Sequence, residues 1–214
     1  MKWKDVLLRL KEPTKVCKLC FKDIDEINLF EITHPESHYC RSCYKEIVGR
    51  FIQFEVCGYK ALSLYNYDEK IQGLIYQLKG CFDIEIADVF LSRYKTELNI
   101  LFHNYVMIPI PSYSKDDEVR EFNHVEEIFK LLNLKMMKIL RKTKKVKQAN
   151  SSLDKRKQIG KYLIVDKVNL TGTNVLLVDD VYTTGSTMKA AIHLIEKLHP
   201  KTIKVLVISK TIIK

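Results

Sequence analysis

Thirteen consecutive residues, Val175-Leu-Leu-Val-Asp-Asp-Val-Tyr-Thr-Thr-Gly-Ser-Thr187, constrain this chain more than any other stretch. Four apolar residues in a row suit the interior of a strand buried on both faces, as in a parallel sheet. Two acids follow, Asp179 and Asp180, at the carboxyl end of that strand, where open α/β sheets place their ligands. A loop rich in hydroxyls then turns at Gly185 into a segment of helical periodicity. Such a loop presents backbone N–H groups and the positive end of a helix to an anion, and glycine lets the backbone approach it closely. Thr183, Thr184, Ser186 and Thr187 add short hydroxyl donors around the same turn. Adjacent carboxylates above a phosphate cradle suit ribose hydroxyls, contacted directly or with Mg²⁺ between. Neighbouring acids at a strand end cost desolvation unless something positive or hydroxylated meets them. A helix cap would need only one of these hydroxyls.

The rest of the chain supplies partners for that strand. Residues 105–111, Tyr-Val-Met-Ile-Pro-Ile-Pro, read as a second buried parallel strand ending at prolines, and residues 204–208 as a third β-branched run. Residues 56–65 read as a strand or hairpin arm. Helical spacing predicts helices over 3–10 (stopped by Pro13), 44–54, 71–78 (broken at Gly80), 84–101, 118–134 and 186–198, with a polar loop over 112–117. Strands alternating with helices imply an α/β fold, a parallel sheet flanked by helices. The expected division is a small module over 1–55 and the α/β domain over 56–214.

Six cysteines shape the first module. Cys17-x2-Cys20 and Cys40-x2-Cys43 are separated by 19 residues, the spacing of a four-cysteine zinc ribbon. Each pair folds as a knuckle, and two knuckles close a tetrahedron of thiolates with Zn–S distances of about 2.3 Å. Four protein ligands make the zinc structural, and ligation would order a segment with little core of its own. His34 and His38 read as loop residues; Cys57 and Cys81, without partners at metal spacing, read as buried small hydrophobes. No stretch has the length of uninterrupted apolar residues that a membrane span requires, and residues 1–11 lack the pattern of a signal peptide. Both point to the cytoplasm, where structural disulfides are disfavoured.

The net charge of +10 is local. Residues 135–161 contain eleven Lys and Arg and one acid, Asp154, and so carry the whole excess. Arg141, Lys142, Lys144, Lys145 and Lys147, with Lys155, Arg156 and Lys157, form two basic clusters suited to a polyanion such as single-stranded DNA. Aromatic platforms for stacking bases are sparse there, Tyr162 being the nearest, so contact with backbone phosphates is expected rather than base readout.

The Asp-Asp-x-x-Thr-Thr-Gly-x-Thr stretch resembles the phosphoribosyl pyrophosphate signature of type I phosphoribosyltransferases. That resemblance implies that Asp179 and Asp180 contact the ribose hydroxyls, and that Thr183, Thr184, Gly185, Ser186 and Thr187 hold the 5′-phosphate. Further segments are similar to the ComF (ComFC-type) competence proteins: the four-cysteine ribbon, Ile108-Pro-Ile-Pro111, Leu78-Lys79-Gly80, Arg120-Glu-Phe-Asn-His124, and Gln148 with Arg156. The likeness spans residues 17–210. It implies Lys79 and Arg120 as pyrophosphate or anion contacts, Mg²⁺ accompanying phosphoribosyl pyrophosphate, and a cytoplasmic role in DNA uptake during natural transformation beside a helicase-like ATPase. The sequence departs from the family pattern at Glu121, where the pattern has glycine, and at His124, where it has glutamine. A buried-base role for His124 is not expected, since a histidine in a helix's first turn is usually a satisfied surface residue.

Two functions follow from the resemblance. One is a ligand-binding platform of the DNA-uptake machinery. The other is an active phosphoribosyltransferase of nucleotide or nucleoside metabolism, in which positioning and charge neutralisation of the departing pyrophosphate would carry the chemistry.

Overall fold

The structure is a computed structural model, and it describes residues 15–24, 38–143 and 162–211. The helix read over 3–10, His34, and the basic residues Lys144, Lys145, Lys147, Lys155, Arg156 and Lys157 lie outside the described residues. Two compact units divide the chain, Met1–Val48 and Gly49–Lys214. In the first, the described residues carry the four paired cysteines and one short helix, α1 (Arg41–Glu46).

The second unit is built on a five-stranded sheet. Its strands are β1 (Ile52–Val56), β2 (Tyr59–Asn66), β3 (Tyr105–Pro109), β6 (Asn174–Tyr182) and β7 (Thr202–Lys210), in the spatial order β1-β2-β7-β6-β3. A separate two-stranded ribbon joins β4 (Leu140–Lys142) to β5 (Leu163–Val165). In the larger sheet only β1 runs antiparallel to its neighbour; the β2–β7, β7–β6 and β6–β3 pairs are parallel. This is the mainly parallel α/β architecture that the alternation of strands and helices predicts. The β1–β2 hairpin closes through Cys57 and Gly58, both at positive φ, the geometry of a two-residue turn. Cys57 is therefore exposed at a hairpin tip, and Cys81 is exposed just beyond a helix end, not buried as their isolation in sequence suggests.

Strand β6 is an interior strand, paired on both sides, with Val175, Leu176, Leu177 and Val178 fully buried between β3 and β7. It runs four residues further than the apolar run, so Asp179 and Asp180 belong to the strand itself. Strand β3 is the sheet's edge. The Ile110 N–H donates inward to the Val178 carbonyl, while the Met107 N–H donates outward to Lys135. Pro109 and Pro111 share the outward phase and offer no N–H there, which is where a sheet tolerates proline.

Helix α2 (Glu69–Gly80) starts at Asp68, whose side chain accepts from the Ile71 N–H. It buries Ile71, Leu74, Ile75 and Leu78, one stripe at i, i+3, i+4, i+7 spacing. Helix α6 (Ser186–Glu196) does the same with Met188, Ala191, Ile192 and Ile195.

Three expected helices differ. Residues 84–101 are two 3₁₀ segments, Ile84–Phe90 and Ser92–Tyr94, followed by α3 (Lys95–Phe102). The Tyr65 hydroxyl donates to the Phe90 carbonyl, and the Tyr94 N–H donates to Leu91, not to Phe90 as in a continuous helix. Residues 44–54 divide into the end of α1 and most of β1. Residues 112–134 hold α4 (Ser114–Arg120) and α5 (His124–Phe129), separated where Glu121 adopts the left-handed conformation at φ 65°. The Asn123 side chain then caps α5 by accepting from the Glu126 N–H at 3.1 Å.

Glu121 holds a conformation that costs an L-residue about 1 kcal/mol more than glycine. Glu121→Gly should therefore raise stability by up to about 0.5 kcal/mol, after allowance for glycine's greater freedom in the unfolded chain. Urea denaturation of the two proteins measures this, and a lowered midpoint would show that the Glu121 side chain makes a contact worth more than its backbone strain.

Candidate functional site

Beyond Val178 the ladder between β3 and β6 ends. The β3 chain leaves through Pro111 and Ser112 towards α4, whereas β6 continues beside β7. The gap between them opens a cleft of about 1020 Å³. Its walls include Lys79 at the end of α2, Arg120 at the end of α4, His124 in the first turn of α5, Asp179 and Asp180 on β6, and Thr183 and Thr187 of the following loop. Lys142, at the end of β4, also reaches it. One cleft thus gathers the acid pair, part of the hydroxyl loop and both proposed anion contacts.

Alternation along β6 separates the two acids. Asp179 is half-buried and its Oδ1 accepts from the Asp180 N–H at 2.9 Å. Asp180 is buried, with 5% of its surface exposed. Burial alone would push its carboxyl up, but the Lys79 ammonium, paired with Oδ2, and the His124 imidazole hold it well below the usual carboxylate range. Burial and the adjacent Asp180 charge push Asp179 well above that range. The pair therefore resists carrying two negative charges until a further positive group arrives.

Behind this pair stands a chain of polar contacts. Arg120 Nη1 donates to Asp117 Oδ1 at 3.1 Å and lies 3.2 Å from His124 Nδ1; its Nε donates to the Lys79 carbonyl at 3.2 Å. His124 Nε2 is 3.6 Å from Asp180 Oδ2. Asn123 Nδ2 donates to Ser112 Oγ at 2.9 Å and to Asp117 Oδ2 at 2.8 Å. Arg120, expected from sequence as an anion contact, thus spends Nε and Nη1 on tying α2 to α5. His124, expected at the surface, is buried, because the break at Glu121 re-aims α5 so that its first turn faces β6. Glu121 itself is exposed. Ser112 and Asp117 carry almost no sequence signal; what there is lies in the i, i+3 spacing of Asp117 to Arg120.

The hydroxyl loop is shaped at Gly185, which caps α6 at φ 71°. A Cβ there would overlap the Tyr182 ring and hydroxyl, so both conformation and space require glycine. Thr184 and Ser186 share a hydrogen bond of 2.9 Å across the turn, and the Lys189 N–H donates to the Gly185 carbonyl at 2.8 Å, beginning the helix. Of the basic residues, Arg141 pairs with Asp166 across the β4–β5 ribbon.

In the first unit the sulfurs of Cys17, Cys20, Cys40 and Cys43 lie within 4.8 Å of one another. Cys20 and Cys40 sulfurs are 3.7 Å apart, close to the edge of a tetrahedron with metal–sulfur bonds of about 2.3 Å. The Phe21 N–H donates to the Cys17 carbonyl with Phe21 at φ 56°, closing the first knuckle, and the Cys40 N–H donates to Cys17 Sγ at 3.3 Å. Burial would push the Cys40 thiol up, but hydrogen bonds from Ser42 and the Cys43 N–H lower it to about 6. Four sulfurs in this geometry suit a metal ion such as zinc. His38 lies nearby in sequence but is exposed and outside the four-sulfur cluster.

Over 205 residues the chain is 27% identical to the competence protein ComFC of Bacillus subtilis strain 168, covering 91% of this chain and 83% of that protein. Over 209 residues it is 27% identical to the competence protein ComFC of Streptococcus pneumoniae R6, covering 93% and 89%. Among solved structures, a hypoxanthine-guanine phosphoribosyltransferase of Bacillus anthracis matches 62% of this chain and 73% of its own, at 16% identity and a TM-score of 0.41. A hypoxanthine phosphoribosyltransferase of Staphylococcus aureus matches 60% and 74%, at 12% identity and a TM-score of 0.37. The sequence pattern of the phosphoribosyl transferase domain covers residues 72–212, which run from α2 through the acid pair and the Gly185 loop to the end of the sheet. The chain belongs to the phosphoribosyl transferase domain family.

Proposed function

We propose that the cleft binds a 5-phosphoribosyl pyrophosphate-type ligand and that the chain serves DNA uptake in competence, with single-stranded DNA as its macromolecular partner. The observation that carries the reading is the convergence on one cleft of three groups: Asp179 and Asp180, the loop turned by Gly185, and Lys79. Vicinal ribose hydroxyls match two neighbouring carboxylates. A 5′-phosphate matches the hydroxyls and the positive end of α6. The pyrophosphate would take Lys79, which exchanges its partner Asp180 for the ligand. Mg²⁺ arriving with the phosphates would supply the further positive charge that lets both acids ionise.

Similarity to two competence proteins over nine-tenths of the chain supports the role in DNA uptake. The charge of residues 135–161 supports a polyanionic partner, and Arg141 and Lys142 bring that segment to the ribbon beside the cleft. A helicase-like ATPase is the expected protein partner in the cytoplasm. No helix of the described residues is long and apolar enough to cross a membrane. The four-cysteine cluster would hold a structural zinc ion.

Calorimetric titration with phosphoribosyl pyrophosphate and Mg²⁺ should show binding by the wild-type chain and none by the Asp179→Asn, Asp180→Asn double variant, with thermal unfolding as the folding control. Equal binding by both would reject the ribose site. Charge reversal at Lys144, Lys145 and Lys147 should weaken binding to a fluorescent single-stranded oligonucleotide and flatten its salt dependence, by about 0.7 in slope for each phosphate no longer neutralised. An unchanged slope would exclude the basic segment. Metal analysis should find about one zinc per chain, reduced severely by Cys40→Ser; unchanged zinc content would reject the ribbon.

A further inference from the structure

We infer that His124 is a positioning residue for the ribose contact: as a neutral imidazole held by Arg120, with its proton on Nε2, it fixes the Asp180 carboxylate in the cleft wall. The inference rests on the ribose reading of the cleft, which it extends by assigning a residue outside the acid pair and the hydroxyl loop.

The tautomer follows from the neighbours. A guanidinium has only donors, so Arg120 Nη1, 3.2 Å from His124 Nδ1, requires that nitrogen to accept. The single proton of the neutral ring then sits on Nε2, which faces Asp180 Oδ2 at 3.6 Å. The charged groups around the ring, Lys79 of α2, Arg120 of α4 and Asp180 of β6, include two cations, and these with burial oppose a second proton. Arg120 cannot swing away cheaply, because Asp117 and the Lys79 carbonyl hold its other donors.

This arrangement acts when ligand arrives. In the free protein, Lys79 is the closer partner of Asp180 Oδ2. If Lys79 turns to the ligand's phosphates, His124 is the side chain left facing that oxygen, and 3.6 Å closes to a hydrogen bond by a small shift. Asp180 then keeps a fixed orientation towards the ribose and does not collapse onto the vacated space. His124 is not a general base here, since the nitrogen facing the cleft carries the proton.

The test uses the full chain with ¹⁵N-labelled histidine. Two-bond ¹⁵N–¹H correlations at pH 7.5 should show His124 as the Nε2–H tautomer. Assignment is by loss of its signals in His124→Gln. An Nδ1–H tautomer or an imidazolium overturns the inference. In parallel, wild type, His124→Gln and His124→Leu are titrated with phosphoribosyl pyrophosphate and Mg²⁺. The glutamine amide offers an acceptor and a donor as the imidazole does, so its Kd should stay within about three-fold of wild type, whereas leucine should weaken binding about ten-fold or more. Leucine binding as tightly as wild type, or glutamine falling as far as leucine, overturns it. Absence of binding by wild type removes the ribose reading, and the tautomer alone then decides whether His124 holds Asp180.

Discussion

A buried carboxylate near the end of β6 organises this site. Asp180 follows the apolar run of β6 and alternation turns it inward, where an isolated charge would be costly to keep. It is kept by Lys79 and His124, which approach the same oxygen from α2 and α5. Each is held in turn by Arg120, through the Lys79 carbonyl and through His124 Nδ1. One guanidinium thus sets two groups that meet on one carboxylate. The break between α4 and α5 is part of the same arrangement. Without the left-handed turn at Glu121, a continuous helix would carry residue 124 to a different azimuth from the one that faces β6.

The cleft has a second origin in the sheet. Parallel pairing holds β3 and β6 together as far as Pro109 and Val178, and beyond that the two chains separate. On its outer side β3 pairs at Met107 with Met136, and Pro109 and Pro111 offer no N–H beyond it, so the crevice remains open at the carboxyl ends, where the sheet's polar ends and the α6 N-terminus face it. Tyr182 packs over Gly185 and meets Phe54 in a tilted ring contact, centroids 4.8 Å apart. The hairpin strand β1 thereby supports the hydroxyl loop although it lies at the opposite edge of the sheet.

Much of this was legible in the amino-acid sequence, for physical reasons that differ by element. Strands β3, β6 and β7 are uninterrupted apolar runs, and such runs have few alternatives. Helices α2 and α6 have a single buried stripe. The acid pair and Gly185 announce themselves because no bland role needs that combination. Residues 84–101 misled because apolar residues fall on nearly every side, so periodicity pointed to one helix where the chain forms two 3₁₀ segments and α3. His124 was illegible for a related reason. Its burial depends on one positive φ three residues earlier, at a glutamate, and glutamate carries no signal for a left-handed turn. Asp117 and Ser112 were illegible because their role is only to anchor Arg120 and Asn123, a dependence that exists in space and not in spacing.

The charge distribution separates the cleft's two kinds of positive group. Lys79 is neutralised within the site, and Arg120 is committed to Asp117 and its helix neighbours, so in the free protein the cleft itself is nearly balanced in charge. The unbalanced charge belongs to residues 135–161, and among the described residues of that segment Lys142 lines the cleft. Under the proposed function a small anion would be selected by geometry, through exchange of partners inside the cleft, whereas a polyanion would be attracted by the basic segment without needing the acid pair. Because β4 ends at the cleft, an anion held there and a strand held by the basic segment would compete for, or share, Lys142. On that reading Lys142 is the described residue through which occupancy of one could be felt by the other.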